Sequence, residues 1–204
     1  MSKHVKLLLY IKSSPVYENE EYNVIEITSA FYPGGYSKSD APKITYNGFE
    51  FYAQTRGYVS SVISGVKNDN PKYVSEIANF IAPQLKESCI LIPAPQHTGK
   101  AIYTLHICEQ IKNIRTDLNI EIQDILTQTA KENTLRDLKK TMKKNELSQY
   151  DLGIAIKDNQ LSDLPKYLVD NTISTGKTFD SIKALIPDIQ PLAFSLGSQF
   201  LKSH

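Results

Sequence analysis

The segment YLVDNTISTGKTFDSI, from Tyr167 to Ile182, joins an apolar strand to a helix through a loop rich in hydroxyl groups. The strand pattern KYLVD ends at Asp170, and the helix pattern FDSIKALI runs from Phe179 to Ile186. In open α/β sheets, ligands bind at the carboxyl ends of strands, and a helix N-terminus offers unpaired N–H groups to an anion. The loop from Asp170 to Thr178 is therefore the predicted anion-binding site.

The side chains of this loop suit a phosphorylated sugar. Gly176 lets the backbone approach an anion closely, and Lys177 adds positive charge. Asp170 would repel a phosphate but can bind sugar hydroxyl groups. The hydroxyl donors are Thr172, Ser174, Thr175 and Thr178. The plainer alternative is an ordinary strand–turn–helix connection in which these hydroxyl groups only cap the helix.

A P-loop is one family pattern that this segment partly matches. The P-loop motif is GxxxxGK[ST], and the corresponding stretch here is NTISTGKT, in which Asn171 replaces the first glycine. That glycine allows the loop to wrap around phosphates. The pattern after Thr178 predicts only one helix and one strand, which leaves little room for a strand that holds Mg²⁺. A divergent P-loop nucleotide-binding protein is therefore a disfavoured alternative.

The segment more closely resembles the signature of type I phosphoribosyltransferases, which bind 5-phosphoribosyl pyrophosphate (PRPP). That signature is a hydrophobic strand, two acidic residues and a loop that ends in TGxT; here Asp170 matches the first acid, and Thr175, Gly176 and Thr178 match the loop end. The resemblance implies that Asp170 and Asn171 act on the ribose as catalytic residues. It also implies that Thr172, Ser174, Thr175, Gly176, Lys177 and Thr178 bind the 5-phosphate.

Two positions depart from the family pattern. Asn171 stands where the second acid is found, and its amide lacks the charge that stabilises positive character at the reacting sugar. Ser174 stands where purine-type members often carry an acid, which argues against hypoxanthine–guanine chemistry. Binding is therefore expected, whereas full catalytic power is open.

A second loop follows the strand CILIP at Cys89 to Pro93, in the sequence CILIPAPQHTGK. It resembles the first loop of the ComF-like branch of these transferases, without the cysteine-rich zinc-binding part that usually begins such proteins. The resemblance covers about half the chain and implies a pyrophosphate site at Gln96, His97, Thr98, Gly99 and Lys100, with Arg136 on a mobile flap. It also implies Mg²⁺ that bridges pyrophosphate and ribose oxygens largely through water, with no direct protein ligand.

The alternation of strands and helices predicts an α/β fold with a parallel sheet and flanking helices. The resemblance implies that this sheet is phosphoribosyltransferase-like. From Cys89 onward the core alternates strand and helix: Thr98 is expected to cap a helix with Ala101, Leu105, Cys108 and Ile111 on one face. NIEIQDIL (Asn119 to Leu126), DLGIAI (Asp151 to Ile156) and PLAFSL (Pro191 to Leu196) are further extended segments. Residues 89–204 are thus the predicted core.

Residues 1–88 are predicted to be a β-rich extension with helices, packed on the core. Strand patterns lie at Val5 to Ile11 and Tyr22 to Thr28, and Asn47-Gly48 sits between alternating apolar residues, which indicates a hairpin. Asn70 followed by Pro71 predicts a helix start, and Pro83 predicts a kink near its end.

Composition narrows the classes of partner. The chain of 204 residues is 41% hydrophobic and 22% charged, with a formal net charge of +1, so a strong electrostatic attraction to nucleic acid is not expected. No apolar run approaches the roughly 20 residues of a membrane span, and no signal-peptide pattern is seen. Cys89 and Cys108 are interpreted as core residues, which fits a reducing cytoplasm.

These patterns support three functional hypotheses. The first is an enzyme that transfers phosphoribosyl from PRPP to a nitrogenous base or another small acceptor and releases pyrophosphate. The second is a PRPP- or nucleotide-binding regulatory module without turnover, and the third is the P-loop protein. The acceptor is not predicted by the sequence; a homodimer is common in the family that the chain resembles. A gain of turnover in Asn171→Asp would favour the enzyme over the module.

Overall fold

The computed structural model describes residues 35–129, 152–157 and 161–203. The strands predicted at Val5 to Ile11 and Tyr22 to Thr28 lie outside the described residues, and so does Arg136.

Strands and helices alternate through most of the described chain. The strands are β1 (Lys43–Tyr46), β2 (Phe49–Ala53), β3 (Cys89–Pro93), β4 (Ile120–Ile122), β5 (Leu126–Gln128), β6 (Ile154–Ile156), β7 (Lys166–Ile173) and β8 (Gln190–Leu196). The helices are α1 (Tyr58–Val66), α2 (Pro71–Ile81), α3 (Tyr103–Ile114), α4 (Lys177–Lys183) and α5 (Ser198–Ser203), and a 3₁₀ turn at Ala82–Gln84 follows α2.

Six of these strands form one sheet in the order β1-β2-β8-β7-β3-β4, and β5 and β6 form a separate antiparallel ribbon. Within the six-stranded sheet only β1 and β2 are antiparallel. The fold is therefore α/β, with a mixed and mostly parallel sheet and flanking helices. Because β2 pairs with β8, the hairpin that lies before residue 88 extends the same sheet as the later strands.

The order of the strands places a topological switch point between β3 and β7. After β3 the chain passes through α3 to β4 on one side, and β7 later pairs with β3 on the other side. The connections that leave β3 and β7 therefore diverge at their carboxyl ends, which is the arrangement at which ligands bind in open α/β sheets.

Local turn and cap chemistry explains the confirmed elements. Asn47 (φ 48°) and Gly48 (φ 77°) occupy the left-handed region that a tight hairpin needs. Asn70 caps α2, since its side chain accepts a hydrogen bond from the N–H of Lys72, and Pro71 is the first helical residue. The α-helix ends at Ile81 and gives way to the 3₁₀ turn that contains Pro83, as the proline predicts.

Several predicted boundaries were wrong. Thr98 does not cap a helix: α3 begins at Tyr103, and its N-cap residue is Ile102, which makes no side-chain cap bond. The segment Asn119 to Leu126 is not one strand, because β4 ends at Ile122 and Leu126 begins β5. The helix predicted from Phe179 to Ile186 spans Lys177–Lys183 instead.

One continuous apolar core holds the sheet and helices together. All five residues of β3 are buried, as expected for a central parallel strand. Cys89 and Cys108 are free and buried, as predicted, and burial raises the pKa of the Cys89 thiol to about 11, so it is an inert core residue at neutral pH. Across the described ranges, no helix combines the length and apolar character that crossing a membrane requires.

Candidate functional site

The two predicted anion loops leave the sheet side by side. Pro93 at the end of β3 pairs with Val169 in β7, and the N–H of Ala94 donates to the carbonyl of Val169 at 2.9 Å. Asp170 follows Val169 directly, and the turn from Gln96 to Lys100 follows Ala94 by one residue. The sheet register thus brings together two segments that are more than 70 positions apart in the sequence.

Asp170 carries the main charge at this edge. Its Oδ1 accepts a hydrogen bond from the N–H of Asn171 at 2.7 Å, and the side chain is partly buried. Burial raises the pKa of this carboxyl to about 6, although the backbone N–H groups of Asn171 and Thr172 and the positive charge of Lys67 act in the opposite direction. Among the described residues, no cation lies within ion-pair distance of Asp170. The carboxylate is therefore available to hydroxyl groups or to a hydrated cation.

The side chain of Asn171 is committed to the protein interior. Only 2% of the residue is exposed; Nδ2 donates to the carbonyl of Ile63 at 3.2 Å, and the hydroxyl of Tyr103 donates to Oδ1 at 3.3 Å. Successive side chains of a strand point to opposite faces, so Asn171 faces the core where Asp170 does not. Both ends of the Asn171 amide thus have protein partners, which does not favour the predicted contact with ribose hydroxyl groups.

The loop after β7 is shorter than the sequence predicts. The strand continues through Ile173, and the hydroxyl of Thr172 accepts a hydrogen bond from that of Ser195 at 2.8 Å. Only residues 174–176 separate β7 from α4, and Gly176 (φ 81°) is the N-cap of a helix of seven residues. The hydroxyls and N–H groups of 174–178 therefore remain as the candidate phosphate site, and Thr172 belongs to the strand.

This short loop also bears on the P-loop alternative. Residues 171–173, which would form the start of a P-loop, are paired with β8 through the contacts of Thr172 with Ser195 and Ile173 with Leu196. Paired strand residues cannot wrap around a triphosphate, because their backbone N–H groups and carbonyls are used by the sheet. The geometry therefore argues against a P-loop at this position.

Two residues that the sequence analysis missed support the loop. Gln54, just after β2, donates from Nε2 to the hydroxyl of Ser174 at 2.9 Å, and its own N–H donates to the carbonyl of Leu196 at 2.9 Å. Gly197 lies against the loop so closely that an added Cβ would be 2.5 Å from the Ser174 carbonyl oxygen. No local signal reveals these contacts, because Gln54 and Ser174 are 120 positions apart.

The second loop is a tight turn. The N–H of Gln96 donates to the carbonyl of Lys100 at 3.0 Å, and the N–H of Gly99 (φ 91°) donates to the carbonyl of Gln96 at 2.8 Å. The side chains of His97, Thr98 and Lys100 are exposed. Nε2 of Gln96 is buried and has no acceptor among the described residues, although a buried amide donor is normally paired. The five residues predicted to bind pyrophosphate thus share one turn, in which Nε2 of Gln96 is a donor without a protein acceptor among the described residues.

A metal ion at this site would need oxygen ligands from a bound small molecule as well as from the protein. The described residues contain no group of three or more His, Cys, Asp or Glu side chains that could enclose a metal ion. Asp170 can bind hydrated Mg²⁺ through water, and the remaining oxygen ligands would have to come from a bound phosphate.

No protein-family model matches the chain, nor does any curated protein or solved structure. The function is therefore inferred from this geometry.

Proposed function

We propose that the chain has a phosphoribosyltransferase-like fold and binds PRPP together with Mg²⁺ at the edge where β3 and β7 end. The observation that carries the proposal is the environment of Asp170. Its carboxylate is partly buried, has no ion-pair partner in the described chain, and lies next to a loop of hydroxyls and N–H groups. Burial of a carboxylate costs free energy unless it is paired, so a position of this kind suggests a ligand.

The proposed roles follow the order of the groups along the sugar phosphate. Asp170 binds the ribose hydroxyl groups, since an ionised carboxylate only accepts hydrogen bonds. The segment 174–178 binds the 5-phosphate, and the turn Gln96–Lys100, with Arg136, binds the pyrophosphate. Lys177 and Lys100 add positive charge to the two phosphate subsites. The two subsites are neighbours because β3 and β7 are paired.

In the proposed reaction a nitrogen atom of the acceptor forms a bond to the ribose carbon that bears pyrophosphate. The carbon–oxygen bond breaks, pyrophosphate leaves with the bonding electron pair, and the proton of the acceptor nitrogen goes to solvent. The chain's own residues hold the sugar and the leaving group in line, and Asp170 lies where positive character at the sugar would be stabilised. Mg²⁺, when bound, neutralises charge on the departing pyrophosphate. The reduced buried thiols suit a cytoplasmic setting for this chemistry.

A non-catalytic PRPP- or nucleotide-binding module is the second candidate, and one observation favours it. The side chain of Asn171 is bonded to Tyr103 and to the Ile63 carbonyl, so the site has one carboxylate where the family signature has two. A single carboxylate can hold ribose yet gives less stabilisation to a positively charged transition state. Release of pyrophosphate from PRPP in the presence of nitrogenous bases separates the two candidates.

The direct test of binding is a calorimetric titration of PRPP with Mg²⁺ into the wild type and into an Asp170→Ala, Thr175→Ala double variant. We expect saturable binding to the wild type and a loss of at least about 100-fold in affinity in the double variant, because two hydrogen-bonding groups, one of them charged, are removed. A Thr116→Ala variant, changed after α3, is the matched control and should bind as the wild type does. Absence of binding to folded wild-type protein would refute the proposal.

A further inference from the structure

A cleft of about 380 Å³ opens between the start of α3 and the connection from β4 to β5. Its apolar wall includes Ile102 and Leu105. Ile102 is 44% exposed and is one of three large apolar side chains that are exposed in the described part of the chain. Its polar groups come from Lys100, His106, Asp124 and Lys157. The size lies at the small end of the range for ligand pockets and suits a molecule with one ring.

His106 is oriented in this cleft by Asp69. The two side chains are joined by a hydrogen bond of 2.7 Å between Nδ1 of His106 and Oδ1 of Asp69. Asp69 is itself fixed, because its backbone is left-handed (φ 53°) and its N–H donates to the carbonyl of Val66 at 2.8 Å. Since a carboxylate only accepts, Nδ1 carries the proton of this hydrogen bond, and Nε2 remains for a ligand.

Lys100 is a charged group of the cleft that has no oppositely charged partner among the described residues. Lys157 is paired with Asp124 at 3.4 Å, and Asp69 is engaged with His106, whereas Lys100 has no acidic partner in the described part of the chain. Helix α3 starts at the same place without a side-chain cap, which adds a weak positive potential. An apolar wall beside an unpaired ammonium group matches a flat molecule that carries a negative charge at one end.

We infer that this cleft binds a small ring compound with an oxyanion, the oxyanion on Lys100 and the ring on Ile102 and Leu105, with Nε2 of His106 facing it. Carboxylate and phosphate share this chemistry. The inference stands on the cleft itself and does not depend on the proposed function. Because the proposed function assigns Lys100 to the pyrophosphate, the ring compound and PRPP would compete for this residue.

The test is an NMR titration that follows the imidazole signals of His106, assigned with a His106→Gln variant. The probes are benzoate, phenyl phosphate and benzamide; benzamide has the shape of benzoate without its charge. We expect saturable shifts with benzoate or phenyl phosphate at concentrations up to about 10 mM, which covers a Kd near 1 mM, and no saturable shift with benzamide. The better of the two anions identifies the oxyanion.

Three variants locate the binding. Lys100→Gln should weaken the preferred anion about tenfold or more, because a hydrogen bond to a charged group is lost. Lys112→Gln changes an exposed lysine of α3 that lies outside the cleft, and it should leave the affinity for the anion unchanged. The Asp170→Ala, Thr175→Ala double variant should bind the anion in the cleft with unchanged affinity. A loss of binding in the cleft is therefore distinguishable from a loss of binding at the PRPP site. Equal binding of benzamide, equal effects of Lys100→Gln and Lys112→Gln, or no shift in folded wild type overturns the inference.

Discussion

Replacing Gly197 with alanine would push a methyl group into the loop that we propose binds the 5-phosphate. The new Cβ would lie 2.5 Å from the carbonyl oxygen of Ser174, 2.9 Å from its Cα and 2.8 Å from Oε1 of Gln54. Ordinary carbon contacts are about 3.5–4.0 Å, so the loop backbone has to move by about 1 Å. The Gln54 side chain can rotate away, but the two backbone atoms of Ser174 cannot without moving the loop.

Two effects should follow from this displacement. Overpacking of this kind costs about 1–3 kcal/mol in the free energy of unfolding, which for a domain of this size lowers Tm by about 2–12 °C. A shift of about 1 Å in a binding loop can reduce function by about 100-fold. Urea unfolding measures the first effect, and calorimetric titration of PRPP measures the second.

A matched control separates stability from binding. Gly48→Ala places a methyl group in open space but at a φ of 77°, so it should also destabilise the fold, through backbone strain at the hairpin, and leave PRPP affinity unchanged. If Gly197→Ala binds PRPP as tightly as Gly48→Ala does, the contact of Gly197 with Ser174 does not position the phosphate loop, and the reasoning is refuted.

Three further substitutions test other parts of the site. Asp170→Asn should reduce the pH dependence of the free energy of unfolding. Folding raises the pKa of Asp170 from 3.8 to about 6, so the protonated carboxyl favours the folded state. This contribution is complete below about pH 4 and is lost as the pH rises through 6. The variant should therefore be about 1–3 kcal/mol more stable than wild type at pH 7 and equal to it at pH 4 in urea titrations; equal stability at both would contradict the burial of the charge. Asn171→Asp should lower the free energy of unfolding by about 2–4 kcal/mol without a gain in turnover, because a carboxylate would face the Ile63 carbonyl. Asn113→Asp, on the exposed side of α3, is the control and should leave the free energy of unfolding nearly unchanged. Gln54→Ala should weaken PRPP binding about fivefold with little change in unfolding, through loss of the bond to Ser174; an unchanged affinity would show that this bond does not position the loop.

The sequence predicted those elements whose cause is local. The hairpin at Asn47-Gly48 and the start of α2 at Asn70 depend on residues next to one another, and both were confirmed. The buried strand β3 was visible as a continuous apolar run. The alternation of strands and helices then sufficed for the α/β class with a mostly parallel sheet.

The predictions that failed depend on contacts distant in sequence. Thr172 and Ile173 were assigned to a loop because of the motif around them, yet they pair with β8, and β-branched residues suit a strand. The inward direction of Asn171 could not be predicted from alternation along the strand, because Leu168 and Val169, on opposite faces, are both buried. The contact between Gln54 and Ser174 could not be predicted either, because it follows from the pairing of β2 with β8.

The placement of PRPP is tested most directly by mapping backbone amide shifts in ¹⁵N-labelled protein during titration with PRPP and Mg²⁺, with ATP as the competitor. We predict saturable shifts that cluster at residues 174–178 and 96–100, and no displacement by equimolar ATP. Shifts confined to other parts of the chain, or tighter binding of ATP at 174–178, would contradict the sugar-phosphate site.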